Sequence, residues 1–417
     1  MKAVVYPSKP EGVINAIASK SMAHRLLICA ALTEGITRIR CASSSEDIDA
    51  TIGCLRAMGS NIVKIGNYYI VPKITAKPCQ SIVFDCKESG TTLRFMMCIA
   101  AGIGLRAKFK GSDRLFERPL SPLEEVLTEH GIVISRDESG RIIQSGKAFG
   151  ENYNISGNVS SQFISGLLMM LPLCKGVSVT VTGEFESKPY VDLTVGALKQ
   201  ADLNVSVEDR KYTVTGRYDM RDTSVEGDWS NSAFFLCAST LGFDVAVQGL
   251  DTESLQGDKE LLSVLKDFGA DVHIERNKVS CVARKLKGIE IDAKNIPDLV
   301  PVLSVVAALA EGKTTIKGAA RLKFKESDRL RTVCDMINAL GGNCEVFDDG
   351  LVIEGVKMLT GGMADACNDH RIAMSAAIAA LKCEGPVEIK GAEAVNKSYP
   401  NFFEDLRSLG VKVEVEE

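Results

Sequence analysis

The chain has 417 residues, of which 45% are hydrophobic, 25% charged and only 6% aromatic, and its formal net charge is -5. This length and composition predict a globular protein with two domains of roughly 200 residues, and the acidic balance gives no reason to expect nucleic acid as a partner. The first residues lack the apolar stretch of a secretory signal, and the most apolar runs, such as residues 163–173, have too few consecutive apolar residues to span a membrane.

Six apolar helices rich in small residues are predicted along the chain. In chain order they begin at KSMAHRLL, SGTTLRFMM, SSQFISGLL, WSNSAFFL, PDLVPVLS and NDHRIAMS. Serine, asparagine and aspartate favour helix starts, and glycine favours helix ends. We expect each helix to end at a glycine: Gly35, Gly102, Gly176, Gly242, Gly312 and Gly385. Because the helices are apolar over most of their circumference, we expect them to be buried.

Each apolar helix is followed by the same series of elements: a short alternating strand, a polar loop, an amphipathic helix and a hairpin. The amphipathic helices end at positions about 70 residues apart, namely Met58-Gly59, His130-Gly131, Ala201-Asp202, Phe268-Gly269, Leu340-Gly341 and Leu409-Gly410. Asp202 replaces the glycine in the third copy, which a left-handed cap tolerates. The period predicts two domains of three repeats each, with the apolar helices enclosed by sheets and exposed helices.

Nine basic residues lie at the starts of these helices or in the adjacent loops: Lys20, Arg25, Arg94, Arg114, Arg118, Lys325, Arg329, Arg371 and Lys397. Helix starts present free N–H groups and a partial positive charge, so several of them in one place form an anion site. Arginine adds bidentate geometry for phosphate or carboxylate. A solvated basic face explains any one of these residues equally well, but the recurrence of the set favours an anion site.

Several motifs also have a purely structural interpretation. SSQF at residues 160–163 offers two hydroxyls and an amide to a phosphate, although alone it is equally a helix cap. KESDRL at residues 325–330 sets a lysine and a glutamate beside an arginine, or is an ordinary capped helix start. In NDHR at residues 368–371, we expect Asp369 to cap its helix. The thirteen cysteines show neither a CxxC pair nor metal-ligand spacing, which indicates reduced, buried thiols and no metal site.

The order of the motifs resembles that of the 5-enolpyruvylshikimate-3-phosphate synthases over essentially the whole chain. The series is KSxxxR, SGTTxR, DRxxxRP, SSQF, SKPYxD, PD, KESDR, NDHR and NKSYP. The resemblance implies an α/β (α+β) fold, a two-domain inside-out α/β barrel with three βαβαββ repeats and buried parallel helices in each domain. It also implies an N-terminal domain at 21–226, on the shikimate 3-phosphate side. The phosphoenolpyruvate side would be a discontinuous domain of 1–20 and 227–417, with the hinge near 20 and 227.

The reaction implied by the resemblance transfers the enolpyruvyl group of phosphoenolpyruvate to the 5-hydroxyl of shikimate 3-phosphate. It proceeds by addition and then elimination of phosphate, in a cleft that closes around both substrates, and it requires no cofactor. The same resemblance favours a monomer, and together with the missing signal it predicts a cytoplasmic protein without a membrane or nucleic-acid partner.

The functional residues carry over motif by motif. Shikimate 3-phosphate would be bound by Lys20, Ser21, Arg25, Ser160, Ser161, Gln162, Ser187, Tyr190, Asp298 and Lys325. Phosphoenolpyruvate would be bound by Lys20, Gly90, Arg114, Gln162, Arg329, Arg371 and Lys397, with Arg94 and His370 in support. The expected catalytic residues are Lys20, Asp298 and Glu326, because the reaction needs positioned acid and base groups. How the proton transfers divide among these three stays open.

Two departures from the best-known pattern lie near the phosphoenolpyruvate motif. Glu88 stands where many family members have asparagine, and Phe95 stands where they have proline. Arg321 likewise replaces an asparagine found in some members. These changes put in doubt whether glyphosate, which occupies the phosphoenolpyruvate site in sensitive members, binds well to this chain.

Two alternatives compete with this interpretation. The related UDP-N-acetylglucosamine enolpyruvyl transferases commonly carry a cysteine in the loop that corresponds to residues 111–121, but this chain has none between Cys98 and Cys174. The second alternative is a non-catalytic repeat scaffold that binds anions. Such a scaffold has no need of carboxylates such as Asp298 and Glu326 among its cations.

Overall fold

The computed structural model describes residues 1–416, which divide into two compact units. Unit 1 joins Met1–Ile17 to the C-terminal half from Glu226 onward, and unit 2 comprises Ala18–Val225. Both crossings fall slightly before the expected ones near residues 20 and 227. Lys20 lies in unit 2, where it opens a helix that is capped by Ser19.

The inner helices begin close to the positions that the sequence predicts. The helices are α1 (Lys20–Leu32), α2 (Glu46–Ala57), α3 (Gly90–Ile103), α4 (Asp113–Glu117), α5 (Ser121–Glu129), α6 (Ser161–Cys174), α7 (Lys188–Gln200), α8 (Trp229–Thr240), α9 (Leu261–Asp267), α10 (Val300–Ala308), α11 (Arg329–Ala339), α12 (His370–Ala380) and α13 (Phe402–Ser408). Helices α1, α3 and α6 of unit 2 and α8, α10 and α12 of unit 1 are the apolar ones, and most of their residues are buried, as predicted.

The strands are short, as the alternating patterns indicate. They are β1 (Lys2–Val5), β2 (Glu11–Asn15), β3 (Ile36–Arg40), β4 (Val63–Ile65), β5 (Tyr68–Pro72), β6 (Ser81–Asp85), β7 (Arg106–Lys110), β8 (Val133–Arg136), β9 (Ile142–Ser145), β10 (Asn152–Ser156), β11 (Ser178–Thr182), β12 (Asn204–Glu208), β13 (Lys211–Thr215), β14 (Thr223–Ser224), β15 (Asp244–Gln248), β16 (Ala270–Glu275), β17 (Lys278–Ala283), β18 (Glu290–Asp292), β19 (Lys313–Lys317), β20 (Asn343–Phe347), β21 (Gly350–Glu354), β22 (Gly362–Asp365), β23 (Val387–Lys390) and β24 (Val413–Glu416).

The strands form six four-stranded sheets of one pattern, three in each unit, and not one closed barrel. In every sheet one parallel pair is followed by two antiparallel pairs, as in the order β10-β11-β13-β12. The sheet β22-β23-β1-β24 takes its third strand from the N-terminus of the chain. This pairing is why the first residues belong to unit 1, and the sixfold pattern confirms the repeat that the sequence predicts.

The predicted ends of the amphipathic helices are confirmed. Gly59, Gly131, Gly269, Gly341 and Gly410 all have positive φ, and Asp202 adopts the same left-handed conformation with φ 59°. Among the inner helices, α8 has its C-cap at Leu241, directly before Gly242 as predicted. In contrast, α1 ends at Leu32 and α10 at Ala308, three and four residues before the predicted Gly35 and Gly312. The predicted ends of α3, α6 and α12 are also wrong.

Helix α3 continues through Gly102 and ends at the left-handed Gly104. A Cβ at Gly102 would lie 2.9 Å from Leu173 and Met170 of α6, so this glycine permits close packing of two helices. Helix α6 ends at Lys175, which itself takes the left-handed conformation before Gly176. Helix α12 ends at Ala380, well before Gly385.

Each unit has its own hydrophobic core, built on its three inner helices. Eleven of the thirteen cysteines are buried, as expected of thiols that pack as small apolar groups, and Cys79 and Cys367 are exposed. In residues 1–416, every helix is too short or too polar to cross a membrane.

Candidate active site

In unit 2, Lys20 is the first residue of α1 and lies beside the start of α2. The Ser19 side chain accepts a hydrogen bond from the Met22 amide and so fixes where α1 begins. The Lys20 ammonium donates to Asp47 Oδ2 at 2.8 Å, and both side chains are mostly shielded from solvent, at 16% and 15% exposed. Sequence reasoning missed Asp47, because a run of acids at a helix start is usually no more than a favourable first turn.

Arg25 lies one turn further along α1 and is buried within unit 2. Its Nε donates to Thr194 Oγ1 at 2.7 Å, and its two terminal nitrogens donate to the carbonyls of Ser21 at 2.6 Å and Tyr190 at 2.8 Å. Burial lowers the pKa of Arg25 to about 10, so it stays charged at neutral pH. These contacts tie α1 to α7 and bring together Ser21, Arg25 and Tyr190 of the predicted set.

Two further arginines meet at the start of α3. A Cβ on Gly90 would lie 2.8 Å from Nη1 of both Arg94 and Arg118, so the absent side chain leaves room for two guanidinium groups. Arg94 donates to the Gln162 side chain, and the Gln162 amide donates to Thr91 Oγ1 at 2.8 Å. The start of α3 is therefore joined to the start of α6, where Gln162 lies.

The remaining predicted residues of unit 2 lie at other helix starts. The Ser160 side chain caps α6 by accepting from the backbone N–H of Gln162 at 3.3 Å, and Ser161 is the first residue of that helix. Ser187 precedes α7 in a left-handed conformation with φ 53°. Arg114 lies on α4, is 41% exposed and pairs with Glu117 at 3.3 Å.

In unit 1, Asp298 lies two residues before α10 and is contacted by three cations. Its Oδ1 is 3.4 Å from Lys325 Nζ and 2.9 Å from Arg329 Nη1. Its Oδ2 is 3.2 Å from Arg371 Nη2, and its carbonyl accepts from Arg371 Nη1 at 3.0 Å. The structure thus brings together four residues of the predicted set that are distant in sequence.

Arg329 is the most deeply buried cation of this cluster, with 1% of its side chain exposed. Its Nε donates to Asp369 Oδ2 at 2.8 Å, and its Nη2 donates to Glu326 Oε2 at 2.6 Å. Burial opposes the charged form, but the carboxylates of Asp369, Glu326 and Asp298 together raise the pKa of Arg329 above its ordinary value. Glu326 therefore also belongs to the cluster.

The start of α12 also belongs to this cluster. Asp369 caps this helix by accepting from the Arg371 amide at 3.0 Å, which confirms the predicted cap. His370 is the first residue of α12 and is buried. Lys397 donates to the carbonyl of Asn368 at 2.6 Å, so it also lies beside this helix start.

A buried acid that the sequence analysis did not single out lies near this cluster. Asp258 accepts a hydrogen bond from Ser230 Oγ, at the start of α8. Burial, followed by the charge of Asp298, raises the pKa of Asp258 to about 7, while Arg371 acts in the opposite direction. Asp258 lies in a 3₁₀ turn, Gly257–Glu260, and no motif in the sequence distinguishes it from an ordinary surface acid.

The two sets have the same construction: buried or half-buried cations at helix starts or in the adjacent loops, held by carboxylates or carbonyls of their own unit. Such groups can bind phosphate and carboxylate anions and can transfer protons. Among residues 1–416, no three His, Cys, Asp or Glu side chains are grouped so that they could hold a metal ion.

The comparisons with known proteins agree over the whole chain. A family model described as EPSP synthase (3-phosphoshikimate 1-carboxyvinyltransferase) matches residues 5–406. The chain is 40% identical to the 3-phosphoshikimate 1-carboxyvinyltransferase of Clostridioides difficile strain 630, with 98% of each chain covered. It is 39% identical to the protein of that name from Clostridium kluyveri, with 98% of this chain and 97% of the relative covered.

Solved structures give the same result. The EPSP synthase of Acinetobacter baumannii matches 100% of both chains with a TM-score of 0.83 and 27% identity. The enolpyruvyl transferase NikO of Streptomyces tendae has a TM-score of 0.79 at 18% identity, and it covers 99% of this chain. These likenesses confirm the fold class that the sequence predicts.

Proposed function

This chain belongs to the EPSP synthase family and is an enolpyruvyl transferase, and from that premise we propose how its residues carry out the reaction. The enzyme transfers the enolpyruvyl group of phosphoenolpyruvate to the 5-hydroxyl of shikimate 3-phosphate and releases phosphate. The reaction is an addition followed by an elimination through a tetrahedral intermediate. UDP-N-acetylglucosamine is not favoured as the acceptor, because the relatives above are named for 3-phosphoshikimate.

We propose the following residues for the two substrates. Shikimate 3-phosphate is bound by Lys20, Ser21, Arg25, Ser160, Ser161, Gln162, Ser187, Tyr190, Asp298 and Lys325. Phosphoenolpyruvate is bound by Lys20, Gly90, Arg114, Gln162, Arg329, Arg371 and Lys397, and Arg94 and His370 hold these residues in place. The free N–H groups of the capped helix starts and the guanidinium groups beside them suit phosphate and carboxylate oxygens.

The proposed catalytic residues are Lys20, Asp298 and Glu326. The attacking hydroxyl loses a proton while C3 of phosphoenolpyruvate gains one, and C3 returns a proton when phosphate leaves. Asp298 and Glu326 supply the carboxylates for these transfers. Lys20 protonates the carbon and stabilises the departing phosphate, and its ammonium is held 2.8 Å from Asp47 Oδ2.

The observation that carries this proposal is the arrangement of charges around Asp298. Lys325, Arg329 and Arg371 all contact this one carboxylate, and Arg329 also contacts Glu326 and Asp369. Asp369 is fully buried and can only hold Arg329 in place, whereas Asp298 and Glu326 are 18% and 19% exposed and stay within reach of a substrate. Carboxylates in such a place suit the proton transfers of the reaction.

We further propose that the protein acts in the cytoplasm as a monomer, in keeping with two units that each possess a core. Neither a nucleic acid nor a membrane is needed for the reaction.

The test is a phosphate-release assay with phosphoenolpyruvate and either shikimate 3-phosphate or UDP-N-acetylglucosamine. We expect phosphate release only with shikimate 3-phosphate. We also expect this compound to raise the melting temperature, because a ligand that binds the folded state stabilises it by mass action. Phosphate release with UDP-N-acetylglucosamine but not with shikimate 3-phosphate contradicts the proposal, and so does the absence of release with both acceptors.

A further inference from the structure

A chain of buried hydrogen bonds runs beneath the pair of Lys20 and Asp47 in unit 2. His24 Nδ1 lies 2.7 Å from Thr51 Oγ1, Thr51 Oγ1 lies 2.7 Å from Thr92 Oγ1, and Thr92 Oγ1 lies 2.8 Å from Ser89 Oγ. All four side chains are at most 1% exposed. We propose that His24 is a positioning residue, which acts through this chain to hold Lys20 against Asp47.

The spacing of these contacts supports the proposal. Lys20 and His24 lie one helical turn apart on α1, and Asp47 and Thr51 lie one turn apart on α2. The contacts Lys20–Asp47 and His24–Thr51 are therefore two successive links between the same helix faces. The second link fixes the rotation of α1 about its axis relative to α2, and with it the direction in which Lys20 points.

The third helix is joined through Thr92. Its hydroxyl donates to Ser89, the residue that caps α3 and immediately precedes Gly90. Because a threonine hydroxyl has a single proton, Thr92 cannot also donate to Thr51. Thr51 must then donate to Thr92, and it must accept from His24. The chain has one direction, and it places the histidine proton on Nδ1.

The state of the ring fits a positioning role. With Nδ1 protonated, Nε2 is an acceptor, and it is buried without a hydrogen-bond partner. Burial, followed by the charges of Lys20 and Arg25, lowers the pKa of His24 well below its ordinary value, so the ring is neutral and does not repel Lys20. An unpaired buried acceptor is destabilising. An apolar side chain would avoid this cost, so the hydrogen bond from Nδ1 is the contribution that distinguishes histidine here.

Two substitutions of His24 separate this hydrogen bond from simple packing. His24→Leu removes the donor, whereas His24→Asn retains an N–H on the γ carbon, where Nδ1 is attached in histidine. We expect His24→Leu to lower kcat about tenfold with little change in either KM, as the loss of one well-placed hydrogen bond implies. We expect His24→Asn to restore most of that loss. Equal kcat values for the two folded variants overturn the proposal.

The middle link provides an independent measurement. Thr51→Val should lower kcat as His24→Leu does, Thr51→Ser should not, and the double variant His24→Leu/Thr51→Val should lose little more than either single variant. If His24→Leu fails to fold, Thr51→Val and Thr51→Ser test the proposal without it. Equal kcat values for these two variants overturn the proposal. Thr33→Val is the matched control, because Thr33 is a buried threonine at the opposite end of α1 that donates to the Cys29 carbonyl. Its kcat should stay near that of the unaltered enzyme, and an equal loss there also overturns the proposal.

The inference depends on the proposed role of Lys20, so Lys20→Met is assayed beside these variants. Near-normal turnover of Lys20→Met means that the role of Lys20 is wrong. A strong effect of Lys20→Met combined with unaltered kcat in both His24→Leu and Thr51→Val means that only the role of His24 is wrong.

Discussion

The substitution Asp369→Asn tests the buried ion pair of unit 1. Asp369 is fully buried, and its two oxygens lie 2.8 Å from Nε and 3.2 Å from Nη2 of Arg329, which is itself 1% exposed. Asparagine caps helices as well as aspartate does, so its oxygen can keep the bond from the Arg371 amide. Its amide nitrogen replaces Oδ2, however, and cannot accept from Arg329 Nε or Ser327 Oγ, so the charge and these two bonds are lost. Breaking a buried ion pair from one side costs about 3–5 kcal/mol. Because Glu326 and Asp298 still contact Arg329, we expect a loss of about 3 kcal/mol, at the lower end of that range.

The free energy of unfolding in urea, compared with a matched control, measures this loss. Asp328→Asn is the control, since Asp328 caps α11 by accepting from the Arg331 amide at 3.3 Å but is exposed to solvent. Its unfolding free energy should change by no more than about 0.5 kcal/mol. The KM for phosphoenolpyruvate should rise only in Asp369→Asn, because the guanidinium of Arg329 loses its strongest restraint. Equal unfolding free energies for the two variants refute the reasoning.

Three further predictions concern other parts of the two clusters. Lys20→Met should lower kcat roughly 10²- to 10⁴-fold at an unaltered melting temperature, and near-normal phosphate release rejects the catalytic role. Gly90→Ala should raise the KM for phosphoenolpyruvate while kcat changes little, because the new Cβ displaces the Arg94 and Arg118 guanidinium groups 2.8 Å away; an unchanged KM contradicts this. Folding raises the pKa of Asp258 from its usual 3.8 to about 7, so between these pH values the folded state binds more protons than the unfolded state. The free energy of unfolding therefore falls as the pH rises through this range, by up to about 1.4 kcal/mol per pH unit. Asp258→Asn should abolish this decline, so the free energy of unfolding in urea should rise for the variant relative to the unaltered protein between pH 5 and pH 8. If the two proteins differ by the same unfolding free energy at both pH values, the prediction is refuted.

Features that depend on neighbouring residues could be predicted from the sequence. The cap of α12 by Asp369 and the left-handed residues that follow the amphipathic helices, Asp202 among them, are local features. The sixfold period supplied the repeat, and the motif order supplied the family. Gly102 shows where local reasoning fails: it lies inside α3 because α6 packs against it, and the residues of that contact are about 70 positions away in the chain.

The partners of the predicted cations could not be read from the sequence. Lys20 pairs with Asp47, and Arg25 donates to Thr194, which lies 169 residues away. Nothing in the sequence around Asp47 or Thr194 distinguishes these residues from other acids or hydroxyls at helix surfaces. The predicted contacts of Arg25 with substrate stay a prediction, whereas its contacts within unit 2 are those of a residue that joins two helices.

These partners explain how the cations can act at all. A buried charge without a partner is too costly to keep, so a site with many cations must hold them with groups of its own. The groups found here differ in kind: Asp369 pairs with Arg329 where solvent does not reach, whereas Asp47 pairs with Lys20 where both side chains are still partly exposed. The first cation is therefore fixed in place, whereas the second lies where solvent, and so a substrate oxygen, can reach it. That difference agrees with the roles proposed above, in which Arg329 orients a bound anion and Lys20 delivers a proton.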